Sequence, residues 1–147
     1  MTDLKNMNND ELIEWFATKA TDEDFDNVEI QRIFVEKGLV DILVSSSLLI
    51  TDKQVISGII ASDIWKERIL IEGKINSIKD INNNDAHIKV DFEFIENHTN
   101  KTYHLIRDYG FKSIDTLQDT LKQYNNLKAI YLIIDGEPYL DCFMLAN

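Results

Sequence analysis

Near Lys66 the spacing of apolar residues changes from three-to-four to two. That switch constrains the fold more than any other feature. A helix returns a side chain to one face every three or four residues, and a strand every second residue, so helices belong to the first part and strands to the second. From Lys66 onward Ile69, Ile71, Gly73 and Ile75 face one way, and Arg68, Glu72, Lys74 and Asn76 face the other. This is the pattern of a half-buried strand.

Upstream, Asn8 or Asn9 can cap a helix with Glu11 in its first turn and Leu12, Trp15, Phe16 and Ala20 along one face. Thr21 with Asp24 offers a second capping box. Ile30, Ile33 and Phe34 then recur at helical spacing until Gly38, which suits a left-handed C-terminal cap. Leu39, Val40, Leu43, Val44 and Leu48 keep the helical period, yet LVDILVSSSLLI is apolar and β-branched enough for a strand, so both readings stand for 39–50. Thr51 with Gln54 starts a further helix carrying Val55, Ile56, Ile59, Ile60 and Ile64. The stretch IQRIFVEKGLVDILVSSSLLITDKQVISGIIASDI resembles one armadillo-type helical repeat. A solenoid needs about three stacked repeats, so a single copy reads as an ordinary helical hairpin.

Downstream, the turn-rich DINNND leads to HIKVDFEFIE, with Ile88, Val90, Phe92 and Phe94 on one face, and NHTN leads to TYHLIRDYG. If NHTN is a four-residue turn, Phe94 pairs with Tyr103, Phe92 with Leu105 and Val90 with Arg107. Ser113 caps a helix carrying Ile114, Leu117, Leu121 and Tyr124, and KAIYLIIDGEPYLDCFM forms a hairpin around Asp135, Gly136, Glu137 and Pro138. The order is βββαββ after a helical start. It predicts an α+β fold, with N-terminal helices, an antiparallel sheet of about five strands and one helix packed on it. No Pro-, Gly- or Ser-rich linker marks Trp65, so residues 1–147 read as one domain with a helical portion over 1–64 and a sheet-plus-helix portion over 65–147.

Charge narrows the function. There are 26 Asp and Glu against 15 Lys and Arg, a net charge of -11. Nucleic acid and anionic membrane both recruit Lys and Arg to phosphate, so this balance argues against direct binding of either. The start, MTDLKNMNNDELIEW, lacks the basic, apolar pattern of a signal peptide, and no 18-residue apolar run occurs. A cytoplasmic location is expected. The single cysteine, Cys142, precludes an intrachain disulfide, and its alternation with Leu140 and Met144 reads as a buried small hydrophobe.

Few constellations carry chemistry. In the register above Glu93 faces His104, with Asp91 two residues along the same polar face and Lys89 opposite Asp108. A carboxylate beside an imidazole can make a general base. The same pair can equally be a solvated cross-strand contact worth about 0.2–1 kcal/mol. His87 stands roughly 20 Å from His104 by strand rise, too far to share a metal. Asp22, Asp24 and Asp26 have the spacing of a calcium loop, as do Asp80, Asn82 and Asn84 with Asp91 at the twelfth position. Both lack the sixth-position glycine, having Asn27 and Asp85, so neither metal nor cofactor is expected. No nucleophile elbow or phosphate loop can be written, and no catalytic residue is assigned. Trp15, Phe16 and Phe25 can form an aromatic anchor ringed by Asp22, Glu23, Asp24 and Asp26, or can pack in the core.

Small size, strong acidity and the lack of a catalytic motif are shared with bacterial immunity proteins of toxin–immunity systems, which the chain resembles at the level of class. That resemblance implies a non-catalytic protein that neutralises a basic toxin or nuclease by direct binding. Its candidate contacts are Asp22, Glu23, Asp24 and Asp26, with Asp91 and Glu93 as a second patch. Nucleic-acid mimics that block DNA-binding enzymes have the same features. The alternative is a small metal- or ligand-binding module, or a hydrolase-like enzyme using Glu93 and His104.

Overall fold

Asn8 accepts a hydrogen bond from the Glu11 amide at 2.8 Å, and Glu11 accepts one from the Asn8 amide at 3.1 Å. The first helix therefore starts at the capping box that the sequence offers. The computed structural model describes residues 3–81, 88–109 and 114–146. Its helices are α1 (Asn9–Thr18), α2 (Asp22–Phe25), α3 (Val28–Glu36), α4 (Val40–Ser46), α5 (Lys53–Ala61) and α6 (Ile114–Leu121). Its strands are β1 (Leu49–Ile50), β2 (Arg68–Asp80), β3 (Ile88–Glu96), β4 (Thr102–Tyr109), β5 (Leu127–Ile134) and β6 (Glu137–Leu145). Single 3-10 turns cover Leu4–Asn6 and Ile64–Lys66. The fold is α+β.

Several local expectations change. The helix expected after Thr21 is two helices, because Asn27 accepts from the amides of Glu29 and Ile30 and caps α3 afresh. Gly38 does end α3 in the left-handed region, at φ +76°. Residues 39–50 are helix and then strand. The cap of α5 is Asp52, which accepts from the Val55 amide at 3.2 Å, rather than Thr51. Ile64 falls in the 3-10 turn beyond α5, and α6 stops at Leu121, short of Tyr124. Ser113, Asn82, Asn84, Asp85 and His87 lie outside the described residues.

Among the described residues the sheet has six strands, close to the expected five, and is mixed rather than purely antiparallel. β3 and β4 pair in the expected register, Phe94 with Tyr103, Phe92 with Leu105 and Val90 with Arg107. β2 serves two neighbours: Arg68 to Gly73 pair with β5, and Gly73 to Asp80 pair with β3. β5 and β6 form the expected hairpin, with Asp135 and Gly136 both at positive φ in its tight turn. β6 then meets β4 in parallel through Ile106 and Tyr139, which curls β2, β3, β4, β6 and β5 into a ring. This is the pattern of a small five-stranded Greek-key barrel of the OB type. β1 comes from the helical half and joins β6 in parallel, Leu49 with Phe143 and Ile50 with Met144.

Two devices allow the curl. At Gly73 the backbone of β3 comes so close that a Cβ would lie 2.0 Å from the Ile95 carbonyl oxygen. Only glycine fits there. Bulges supply the rest, one at Asn76 in β2 and one at Asp141 in β6, each of which the pairing skips.

The bulge at Asp141 also corrects the expected alternation. Leu140 packs inside the curl, with Phe92, Phe94, Leu105, Leu127, Phe143 and the Leu117 and Leu121 side chains of α6. Cys142 and Met144 face the other way, into a second cluster with Ile130 and the helical residues Leu12, Phe34, Leu43, Val44, Val55 and Ile59. Inside the curl the rings of Phe92 and Phe94 lie 5.3 and 6.0 Å from that of Phe143. Burying each such side chain is worth about 1.5–3 kcal/mol.

Candidate functional site

On the outer face of β3 and β4, Glu93 stands opposite His104 as the register requires. The expected Glu93–His104 contact is nevertheless replaced. The imidazole turns to the diagonal neighbour instead, with Nδ1 3.0 Å from Asp91 Oδ2. Glu93 is taken by Asn76, whose Nδ2 donates to its carboxylate. The His104 side chain is 57% exposed, so its pairing with Asp91 is a solvated one of small energetic worth. The outer face carries Asp91, Glu93 and Asp108 against Lys89 and His104, an acidic balance that repels phosphate.

The N-terminal acids are arranged differently. Thr21 and Asp24 form the expected capping box, with the Asp24 carboxylate accepting from the Thr21 amide at 2.8 Å. Asp24 is thus partly committed to holding α2, while Glu23 and Asp26 are exposed. Asp22 opens that helix. The Phe25 carbonyl accepts from Gln31 Nε2 at 2.8 Å and from Ser47 Oγ at 2.9 Å. The Ser47 carbonyl in turn accepts from Arg107 Nη1 at 2.8 Å, which ties α2 to β4. The two acidic groups therefore sit on separate elements joined through Ser47.

The three aromatic residues also part company. Phe16 packs on Phe25 and Phe34, at ring distances of 4.7 and 5.9 Å, which is core packing. Trp15 is half-buried and lines a groove of about 590 Å³. Leu4, Ile30 and Ile33 supply apolar walls, and Asp3, Asp24 and Glu29 supply carboxylates, with Lys5 and Lys19 alongside. Asp3 and Glu29 were not among the sequence candidates. Glu29 was legible as the acid just before Ile30 in the helical pattern of Ile30, Ile33 and Phe34, whereas the approach of Asp3 depends on how the 3-10 turn packs.

Behind these surfaces lies a buried polar junction. Arg68 Nε donates to Asp141 Oδ2 at 2.5 Å, and its Nη1 reaches Asp41 on α4 at 2.8 Å. Arg107 donates to the carbonyls of Ser46, Ser47 and Asp141. Burial raises the pKa of the Asp141 carboxyl, and the hydrogen bond and charge of Arg68 offset part of that rise. Burial also pushes the Cys142 thiol far up, so it is a buried hydrophobe rather than a nucleophile. Among the described residues no three His, Cys, Asp or Glu side chains gather to hold a metal, and no helix is long and apolar enough to cross a membrane. In the first calcium-like segment Asp24 is turned to Thr21.

Comparison with known proteins leaves the site's geometry to speak for itself, since no family model, curated protein or solved structure matches this chain.

Proposed function

We propose that this protein is a non-catalytic inhibitor or immunity protein that binds a basic protein, such as a toxin or nuclease, inside the cell. The observation that carries the reading is the groove beside Trp15. It joins an aromatic anchor to the carboxylates of Asp3, Asp24 and Glu29, in a chain of net charge -11. An apolar floor rimmed by three carboxylates and two lysines, with Glu29 also paired to Arg32 at 3.2 Å, suits a long cationic side chain, whose methylenes pack on the indole while the charged head meets Asp3 and Asp24. Glu23 and Asp26 beside the groove extend the field, and Asp91 and Glu93 provide a second acidic patch on the barrel. Such a field raises the association rate with a basic partner and makes it salt-dependent.

The test begins with capture of the partner from the native cell and its identification. Its binding is then measured for E23K/D26K/E29K, for W15A and for D91K/E93K. The reading expects the triple variant to slow association roughly tenfold at low salt and to flatten the salt dependence. W15A is expected to speed dissociation instead. A captured partner that is acidic, or one whose binding is unchanged in all three variants, overturns it.

A further inference from the structure

At the bulge in β2, Ile75 pairs with Phe94 and Ser77 with Glu93, so the ladder to β3 skips Asn76. α6 lies along this part of β2, and the two enclose a cleft of about 330 Å³. That is within the size range of small-molecule sites, about 300–1,000 Å³. Ile75, Ile78 and Leu121 give the cleft an apolar side, and Ser77, Gln118, Lys122 and Tyr124 give it a polar one.

Ser77 Oγ is withdrawn from solvent and has no hydrogen-bond partner among the described residues. Buried hydroxyls are ordinarily bonded, so a group that enters the cleft is the natural partner. The lining also departs from the rest of the molecule. In a chain with 26 acids no Asp or Glu is among the described residues that line the cleft, and the one charge among them is the Lys122 ammonium. Asn76 also lines it, but its amide nitrogen is already given to Glu93.

We propose that this cleft binds a small organic monocarboxylate with an aromatic or branched apolar body. The carboxylate meets Lys122 and the hydroxyl and amide donors, and the body lies on Ile75, Ile78 and Leu121. A phosphate dianion fits poorly, because one cation does not balance two charges within the field of a strongly acidic protein. An amine finds no carboxylate among the described lining residues. The site is separate from the Trp15 groove and does not depend on the function proposed for it.

The probes are benzoate, its neutral counterpart benzamide and its cationic counterpart benzylamine, followed by amide chemical shifts of the full chain at neutral pH. Benzoate is expected to give saturable shifts confined to residues 75–78 and 118–124. Benzamide binds more weakly, and benzylamine leaves those residues unmoved. S77A and K122Q each weaken benzoate by about threefold or more while the remaining spectrum is unchanged. The proposal is overturned by benzoate shifts that fail to saturate or fall elsewhere, by equal response to all three probes, or by full affinity in both variants.

Discussion

Arg68 and Asp141 meet across the sheet, Nε to Oδ2 at 2.5 Å, with 13% and 8% of their side chains exposed. Asp141 is the bulge residue of β6, so its carboxylate points out of the ladder toward the start of β2. Asp41 on α4 shares the same guanidinium, so one arginine links β2, β6 and the helical half.

Removing one partner of this pair is expected to cost more than removing both. D141A leaves the Arg68 guanidinium mostly buried beside only the exposed Asp41, and should lower stability by about 3–5 kcal/mol. The double variant R68M/D141L removes both charges and should recover much of that loss. Urea unfolding followed by far-UV circular dichroism checks both. Equal losses in single and double variants would mean that packing rather than charge holds the junction.

Asp52 predicts a pH dependence. The Arg32 side chain, and after it the Val55 amide at the start of α5, hold the Asp52 carboxyl below its usual value of 3.8. Hydrogen bonds from the Thr99 and His98 amides lower Glu96 from 4.5 in the same sense. A carboxyl lowered in the folded state binds fewer protons there than in the unfolded chain. Its contribution is complete above the usual value and is lost as pH falls through the folded one. D52N should therefore be less stable than the wild type at pH 7, and the gap should begin to narrow only below about pH 4 and vanish at still lower pH. Thermal unfolding across pH 2–7 measures it.

Gly73 and Gly38 should respond differently to alanine. At Gly73 the new Cβ meets the β3 backbone at 2.0 Å, and backbone cannot step aside as a side chain can, so G73A should cost about 3 kcal/mol. At Gly38 nothing lies within 4 Å, and only the positive φ resists, for about 1 kcal/mol. Denaturant midpoints of the two variants should rank accordingly.

Cys142 is fully buried, and its thiol is pushed up by that burial. A disulfide reagent such as dithionitrobenzoate should leave the native protein unmodified and label one thiol per chain once it is unfolded in urea. Rapid labelling of the native protein would place the sulfur at the surface and contradict the packing of β6 on the helices.

Local chemistry was legible where neighbouring residues decide it. The capping boxes of Asn8 with Glu11 and Thr21 with Asp24 stand as expected, and so does the β3–β4 register, because one buried face tolerates no slip. What the sequence hid is long-range. β1 is two residues long and is a strand only because β6 lies beside it. Asn76 and Asp141 are ordinary polar residues in strands, and nothing local marks them as the residues their ladders skip. At the candidate site, Glu93 and His104 were correctly set opposite each other. The imidazole pairs with Asp91 while Asn76 of β2 takes Glu93, a contact from a third strand that the β3–β4 register alone does not give. Trp15 was singled out, but its separation from Phe16 and Phe25 follows from how α1 meets α3, which spacing alone does not reveal.

The three neighbours of β6 have a kinetic consequence. While residues 1–136 are emerging from a ribosome, β1 has no strand to pair with, β4 and β5 have open edges, and the helical cluster lacks Cys142 and Met144. Neither hydrophobic cluster can be completed until β6 arrives. Contacts of such long sequence separation form slowly, so apolar surface stays uncovered until β6 is in place, and its arrival closes both clusters in one cooperative step.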